Sequence, residues 1–391
     1  MSGSEKLACH VCGAPGLTTI PGYQKLSRVT SDCKSWPSGG RLAVCRQCGV
    51  AQAVLDSAWH EDARIIYDSY SLYSQGMGAE SSVFDAQSGE PLTRSQSLVQ
   101  RLNAQALLPV RGRMLDFGCG TGGLLRSFGA AFKQWTMAGL ELHEHLRPVI
   151  ESIERVEHLF TCDVAKVPGS FGLITLNHVL EHIPSPGDFL AQLRHKLNDG
   201  GFILIQVPDC AQNPFMLLVA DHATHFCLPS LKGLVESAGY ETVAAVDDWV
   251  SKELTVVARQ PAPSRTPSAR GFGFMDAAAL NRRMVWLNAL AVQARHLSAH
   301  RPFGLFGTSV AAAFLFGEVG DAVDFFVDED PNRWGRIWCD RPIHSPRQVP
   351  AGSQVFLGLA PVAADKVLAR MNSLKLPARF YAPDPLPRAS T

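Results

Sequence analysis

The chain lacks any excess of charge: 36 Lys and Arg balance 36 Asp and Glu across 391 residues. A protein that grips nucleic acid through phosphates usually carries a basic surplus, so no nucleic-acid partner is expected. The chain also lacks a run of the ~20 apolar residues that a membrane span needs. The nearest, Phe303 to Gly317, is shorter, broken by glycine, and holds Thr308 and Ser309. No charged-then-apolar leader opens the sequence at Met1-Ser2-Gly3-Ser4-Glu5-Lys6. These absences predict a cytoplasmic protein without a membrane span. With 46% apolar and 18% charged residues, the composition is globular rather than disordered. The length calls for two or three domains.

Of ten cysteines, four form two pairs, Cys9-His10-Val11-Cys12-Gly13 and Cys45-Arg46-Gln47-Cys48-Gly49; the other six are scattered. In a reducing compartment such pairs read as metal ligands rather than disulfides. Four thiolates suit tetrahedral Zn2+, and a closed four-sulfur site is structural, with no open position for chemistry. Cys9, Cys12, Cys45 and Cys48 are therefore the expected zinc ligands of a module over residues 1–75, too small to bury much apolar surface unaided.

From Arg113 short apolar runs alternate with helical spacing. Strands are expected at Met114–Phe117, Trp135–Leu140, Leu159–Cys162, Leu173–Leu176 and Phe202–Val207. Such alternation implies a parallel sheet covered on both faces. Helices are expected over Arg94–Leu108, Phe189–Leu197 and Leu228–Ala238, and a hairpin over Tyr240–Val246 and Leu254–Ala258. A proline-bearing linker at 261–275 separates this domain (76–260) from a second α/β unit at 276–391. That unit opens with a helix to about His300, N-capped by Asp276, then a strand Phe303–Phe306, a glycine turn and a strand Ala322–Val327.

Leu115-Asp116-Phe117-Gly118-Cys119-Gly120-Thr121-Gly122-Gly123 is a strand feeding a glycine turn that presents bare backbone N–H groups. The glycines alone also fit a dinucleotide fold. The carboxylates separate the two readings. Asp116, two residues before the first glycine, suits a cationic amino group better than a pyrophosphate. Glu141 ends the second strand, where an acid can accept both ribose hydroxyls. Asp163 follows the third, where it can accept from an adenine amino group.

On these motifs, with Leu176-Asn177-His178-Val179-Leu180-Glu181-His182 and Leu197-Asn198-Asp199-Gly200-Gly201, residues 95–260 resemble the class I S-adenosylmethionine (SAM)-dependent methyltransferases. The resemblance implies a Rossmann-like seven-stranded sheet with its last strand antiparallel. SAM would be held by Asp116, Phe117, Gly118, Gly120, Glu141, Leu142, Asp163, Val164, Asn177 and His178. Glu181 and His182 are read as either lining the carboxyl end of the sheet or capping the following turn.

The whole order resembles more narrowly the zinc-module sugar methyltransferases related to the C-methyltransferases of deoxysugar biosynthesis. That implies a C-terminal half-Rossmann α/β domain contacting a sugar or sugar-nucleotide substrate, and a histidine base after the fifth strand. The family's segment there reads roughly Tyr-His-Glu-His; this chain has His222-Ala223-Thr224-His225. His225 and His222 are the catalytic candidates. Since no group to steady an enolate stands at the glutamate position, O-methylation is an alternative to C-methylation. Tyr67, Tyr70 and Tyr73, before Gln75-Gly76-Met77-Gly78, read as a lid or as interdomain packing. The other functions considered are a zinc-module RNA or protein methyltransferase and a non-catalytic sugar-nucleotide sensor. The sequence leaves the oligomeric state unknown.

Overall fold

A computed structural model describes residues 8–70, 82–84, 91–261 and 277–386. Tyr73, Gln75–Gly78, Asp276 and almost all of the 261–275 linker lie outside the described residues.

The central sheet has seven strands: β1 (Gly112–Phe117), β2 (Trp135–Leu140), β3 (Val156–Phe160), β4 (Phe171–Asn177), β5 (Leu197–Pro208), β6 (Glu241–Val246) and β7 (Glu253–Arg259). Their order is β3-β2-β1-β4-β5-β7-β6. The first five are parallel; β7 runs antiparallel between β5 and the edge strand β6. The central strands are apolar on both faces, as a doubly covered sheet requires: Met114, Leu115, Leu173, Ile174, Ile203 and Ile205 are fully buried. Strand order reverses between β1 and β4, which opens a crevice at their carboxyl ends.

Several elements depart from the expected ranges. β3 ends at Phe160, two residues before the expected limit, so Cys162 and Asp163 are exposed loop. The helix after Thr93 stops at Ala104, and its start is fixed by a capping box in which Thr93 Oγ1 accepts from Gln96 N at 3.1 Å and Thr93 N donates to Gln96 Oε1 at 2.8 Å. The helix expected at Phe189–Leu197 runs from Pro186 to Arg194, because proline serves as its first residue and Leu197 already starts β5.

The C-terminal unit has helix Ala277–Leu297 and a parallel core of strands, with Phe303–Phe306 between Phe325–Val327 and Gln354–Phe356. Only Phe325–Val327 of the expected Ala322–Val327 is strand; Gly320–Ala322 forms a tight 3-10 turn.

The N-terminal module is a small antiparallel sheet, Leu17–Thr19, Leu42–Cys45 and Ala51–Ala53, followed by helix Ser57–Asp68. It does not close on itself. Its fourth strand, Thr224–His225, comes from the loop after β5, with Thr224 opposite Gln52 and His225 opposite Ala51. On one side Cys9, Val11, Cys45 and Val50 join the core of the central sheet through Phe226 and Val207. On the other, Ile20, Leu26, Val29 and Val44 join a core with Phe215, Leu287, Leu290 and Phe314. The module is thus wedged between the two α/β units, which explains how so small a segment stays folded.

Candidate active site

The site is built from strand ends. β1 runs into a turn in which Gly118, Gly120 and Gly122 have φ of +69°, +49° and +80°. Only glycine adopts these without strain. At Gly118 a Cβ would also strike Val179 Cγ2 at 2.7 Å. Glu141 ties β2 to this turn: one carboxylate oxygen accepts from Gly120 N at 2.9 Å, the other from Leu142 N at 2.7 Å. Leu142 is 75% exposed. An exposed apolar side chain beside an anchored acid suits an adenosine, with ribose on Glu141 and base on Leu142. Asp163, exposed at the end of β3, accepts from Ala165 N at 2.8 Å, while Val164 is buried behind it. Glycine turn, ribose acid, apolar step and second acid fit SAM. When bound, its sulfonium supplies an electrophilic methyl group.

Asp116 does not lie open beside the turn. It is 1% exposed, and its Oδ1 accepts from Thr175 Oγ1 at 2.7 Å. Its carboxylate braces β1 against β4 from below. Phe117 packs edge-on against Phe189, ring centroids 5.0 Å apart.

β4 ends in Asn177 and His178. Asn177 Oδ1 is buried without a hydrogen-bond partner. His178 has φ +56°, in the left-handed region that few non-glycine residues adopt. Its Nδ1 lies 3.4 Å from Glu181 Oε1 and its Nε2 3.4 Å from Glu253 Oε2. Burial pulls its pKa down, but the charges of Glu253 and then Glu181 outweigh this, and the net shift is upward.

The turn Leu180–His182 does more than cap. Its Glu181 carbonyl accepts from Ala223 N at 2.8 Å, tying it to the loop that holds His222 and His225. His182 Nδ1 lies 3.4 Å from Asp221 Oδ2, and Asp221, fully buried, also accepts from Ser31 N and Oγ at 2.9 and 2.5 Å. The His182 and His222 rings meet edge-on at 4.7 Å. Tyr67 packs on His182 with ring centroids 6.1 Å apart. Its hydroxyl pKa is pushed up, first by burial and then by the charges of Asp221, Tyr70, Glu181 and Glu141.

His225 is placed differently from the sequence expectation. It sits 3% exposed in the strand that completes the module sheet, and burial, then neighbouring His10, push its pKa down to about 3. A histidine that weakly basic is a poor match for a proton acceptor near neutral pH, and its backbone role is structural. His222 is also buried and held neutral, but it faces the Glu181–His182 turn. Asp221 and Glu253 escaped the sequence reading. Asp221 stands beside His222, a pairing that could have flagged it.

The knuckles bring Cys9 Sγ within 3.6 Å of Cys48 Sγ, and Cys12 Sγ within 3.6 Å of Cys45 Sγ. All four ligand atoms lie within 4.8 Å of one another. Tetrahedral sulfur around Zn2+ at ~2.3 Å gives edges of about 3.8 Å, close to the observed spacing. Val11 N and Cys12 N donate to Cys9 Sγ, Gln47 N and Cys48 N to Cys45 Sγ, and Gln52 Nε2 to Cys9 Sγ at 3.1 Å. Thiolates are what such donors favour, so the donor set fits zinc.

Residues 92–245 match the family described as a methyltransferase domain. Among curated proteins the chain is similar to trans-aconitate 2-methyltransferase of Deinococcus radiodurans, 32% identical over 124 residues, 31% of this chain and 45% of that one. It is also similar to the ubiquinone biosynthesis O-methyltransferase of Dechloromonas aromatica, 28% identical over 154 residues, 37% of this chain and 65% of the relative. The chain spans about half the length of the curated relatives it matches. Among solved structures, the 1,6-didemethyltoxoflavin-N1-methyltransferase of Burkholderia thailandensis aligns with a TM-score of 0.39 at 20% identity, covering 56% of this chain and 98% of that one. Residues 92–245 are thus similar to methyltransferase domains, and the five parallel strands of the 3-2-1-4-5-7-6 sheet and the glycine turn held by Glu141 lie within that stretch.

Proposed function

We propose that the protein transfers the methyl group of SAM to an oxygenated small molecule, a sugar or nucleotide-linked sugar, on carbon or on oxygen. The observation that carries this reading is Glu141. It anchors the glycine turn through Gly120 and Leu142 and keeps lone pairs for a ribose, at the mouth where the sheet reverses order. Gly118, Gly120, Leu142, Asp163 and Val164 complete the donor side, with Asp116 and Phe117 fixing the turn and Asn177 and His178 closing it. The acceptor lies against His178, Glu181, His182 and His222, whose polar atoms can orient hydroxyls and move a proton. Two of the curated relatives are named trans-aconitate 2-methyltransferase and ubiquinone biosynthesis O-methyltransferase, which supports an acceptor other than nucleic acid or protein. Zn2+ on Cys9, Cys12, Cys45 and Cys48 is structural, and the 276–391 unit supplies the sugar-nucleotide contact.

A macromolecular acceptor is less favoured. The chain has no net charge, and the module's sheet is buried between its neighbours rather than offered as a gripping surface. The test is conversion of SAM to S-adenosylhomocysteine with a panel of nucleoside-diphosphate sugars and their 4-keto forms. Turnover with at least one, lost in Glu141→Ala, is expected. Turnover only with RNA or protein, or SAM binding without any turnover, would overturn the proposal.

A further inference from the structure

A second group of ligating side chains lies beside the donor crevice. Glu181, His182 and His222 each bring one ligand atom within 4.8 Å of the others. Glu181 is 1% exposed, and neither of its carboxylate oxygens has a hydrogen-bond partner. His178 Nδ1, at 3.4 Å, faces one oxygen as an ion pair but makes no hydrogen bond to it. A buried carboxylate without hydrogen bonds is costly unless a cation completes it. The histidine beside it is prepared as metal ligands are. His182 Nδ1 faces Asp221, 3.1 Å from its carbonyl and 3.4 Å from its carboxylate, which leaves Nε2 as the ligating nitrogen. Asp221 is itself held by Ser31. A carboxylate that orients a ligating imidazole from behind is the usual outer shell of such sites. The Ala223 N to Glu181 O bond fixes the turn relative to the loop carrying His222.

We propose that Glu181, His182 and His222 bind a divalent transition-metal ion, of the Zn2+ or Mn2+ class, whose open positions hold oxygens of the methyl acceptor. One carboxylate and two imidazoles suit such ions, and three protein ligands leave room for substrate. A tetrahedral set around ~2.05 Å bonds has edges of roughly 3.3 Å, compatible with three ligand atoms that all lie within 4.8 Å of one another. As a Lewis acid it favours loss of a proton from an acceptor hydroxyl, or steadies an enolate oxygen. That is the task for which the segment at 222–225 offers no carboxylate. The role for the acceptor rests on the proposed function; the metal site itself does not.

The test is metal binding by the full chain, without SAM or acceptor. Wild-type protein equilibrated with Zn2+ and dialysed against a low micromolar level should hold two equivalents. Cys48→Ser should lose the sulfur-bound one. Glu181→Gln and His222→Gln should lose the other and keep the first. With Co2+, filling the first site gives an intense sulfur-to-metal absorption, and filling the second gives only weak bands that Glu181→Gln removes. A wild type that saturates at one equivalent, with the sulfur signature alone, would overturn the site whether or not the variants fold. Two equivalents without turnover of any sugar would uphold the site and sink the proposed acceptor. Sugar turnover at one equivalent, unaffected by a chelator that leaves the sulfur site filled, would do the reverse.

Discussion

Replacing Glu141 with Gln separates the donor pocket from the rest of the fold. In the native site each carboxylate oxygen already accepts one backbone N–H, from Gly120 at 2.9 Å and from Leu142 at 2.7 Å. Each oxygen keeps a lone pair for one ribose hydroxyl. The amide keeps the shape, but one arm becomes an NH2 facing a backbone N–H, donor against donor. A hydrogen bond to a charged group contributes about 1.5–3 kcal/mol. Losing one such bond to ribose and loosening the turn should together cost about 2–3 kcal/mol, or roughly 30- to 150-fold in Kd. Calorimetric titration with S-adenosylhomocysteine at fixed salt measures it. Because the contact is made equally in ground and transition states, kcat at saturating SAM should stay near wild type while KM for SAM rises. A Kd within about threefold of wild type would refute the assignment of Glu141 to the ribose.

Gly118→Ala should destabilise the domain by about 1–3 kcal/mol, since its φ of +69° strains an L residue and its Cβ would meet Val179 Cγ2 at 2.7 Å; denaturant midpoints test this, and a wild-type midpoint would contradict it. Stripping zinc with a strong chelator should lower the melting temperature and expose four thiols to a thiol reagent at once; unchanged melting with the thiols exposed would show that zinc is not structural. Asp56 caps helix Ser57–Asp68 by accepting from Trp59 N at 2.9 Å and also pairs with Arg41 at 2.8 Å; Asp56→Ala should cost about 1 kcal/mol by thermal unfolding. Burial opposes ionisation of Asp56, but the Trp59 N–H and Arg41 outweigh it and hold its pKa below the usual 3.8. The folded pKa is the lower one, so the stabilisation is present above pH ~4 and fades as pH falls through the depressed value. The wild-type advantage over Asp56→Ala should therefore shrink in acid, and a constant difference would refute it.

The central sheet was legible because its signals are local. Short apolar runs such as Leu173–Leu176, alternating with helical spacing, fit buried strands, and the glycines at 118, 120 and 122 occur where φ is positive. Spacing also brought the cysteine pairs together, since each knuckle closes over a few residues. Tertiary facts were not legible. Thr224–His225 is a two-residue strand whose existence depends on Ala51 and Gln52, far away in the chain. No propensity marks it, and His225 therefore read as a crevice base. Asp221 escaped the sequence reading because its partner Ser31 lies 190 residues away. Glu181 could be read as lining the carboxyl end of the sheet or as capping a turn, and spacing does not show its burial without a hydrogen bond.

The completed module sheet ties the cysteine knuckles to the loop of His222. From Cys9 the connection runs through Gln52, which donates to the Cys9 sulfur and stands opposite Thr224. His10 Nε2 lies 2.8 Å from Thr224 Oγ1, and Ala53 N donates to Ala223 O at 3.0 Å. Ala223 N in turn donates to the carbonyl of Glu181. Three hydrogen bonds, Gln52 to Cys9, Ala53 to Ala223 and Ala223 to Glu181, thus link a sulfur to the turn that carries Glu181, whereas the hydrogen bonds of Glu141 run to the glycine turn and to its own neighbour. A module wedged between two α/β units, and sharing its edge strand with the loop of His222, holds that loop in place as a frame holds a hinge. On the proposed reading, a metal held by the four cysteines would serve acceptor placement rather than donor affinity.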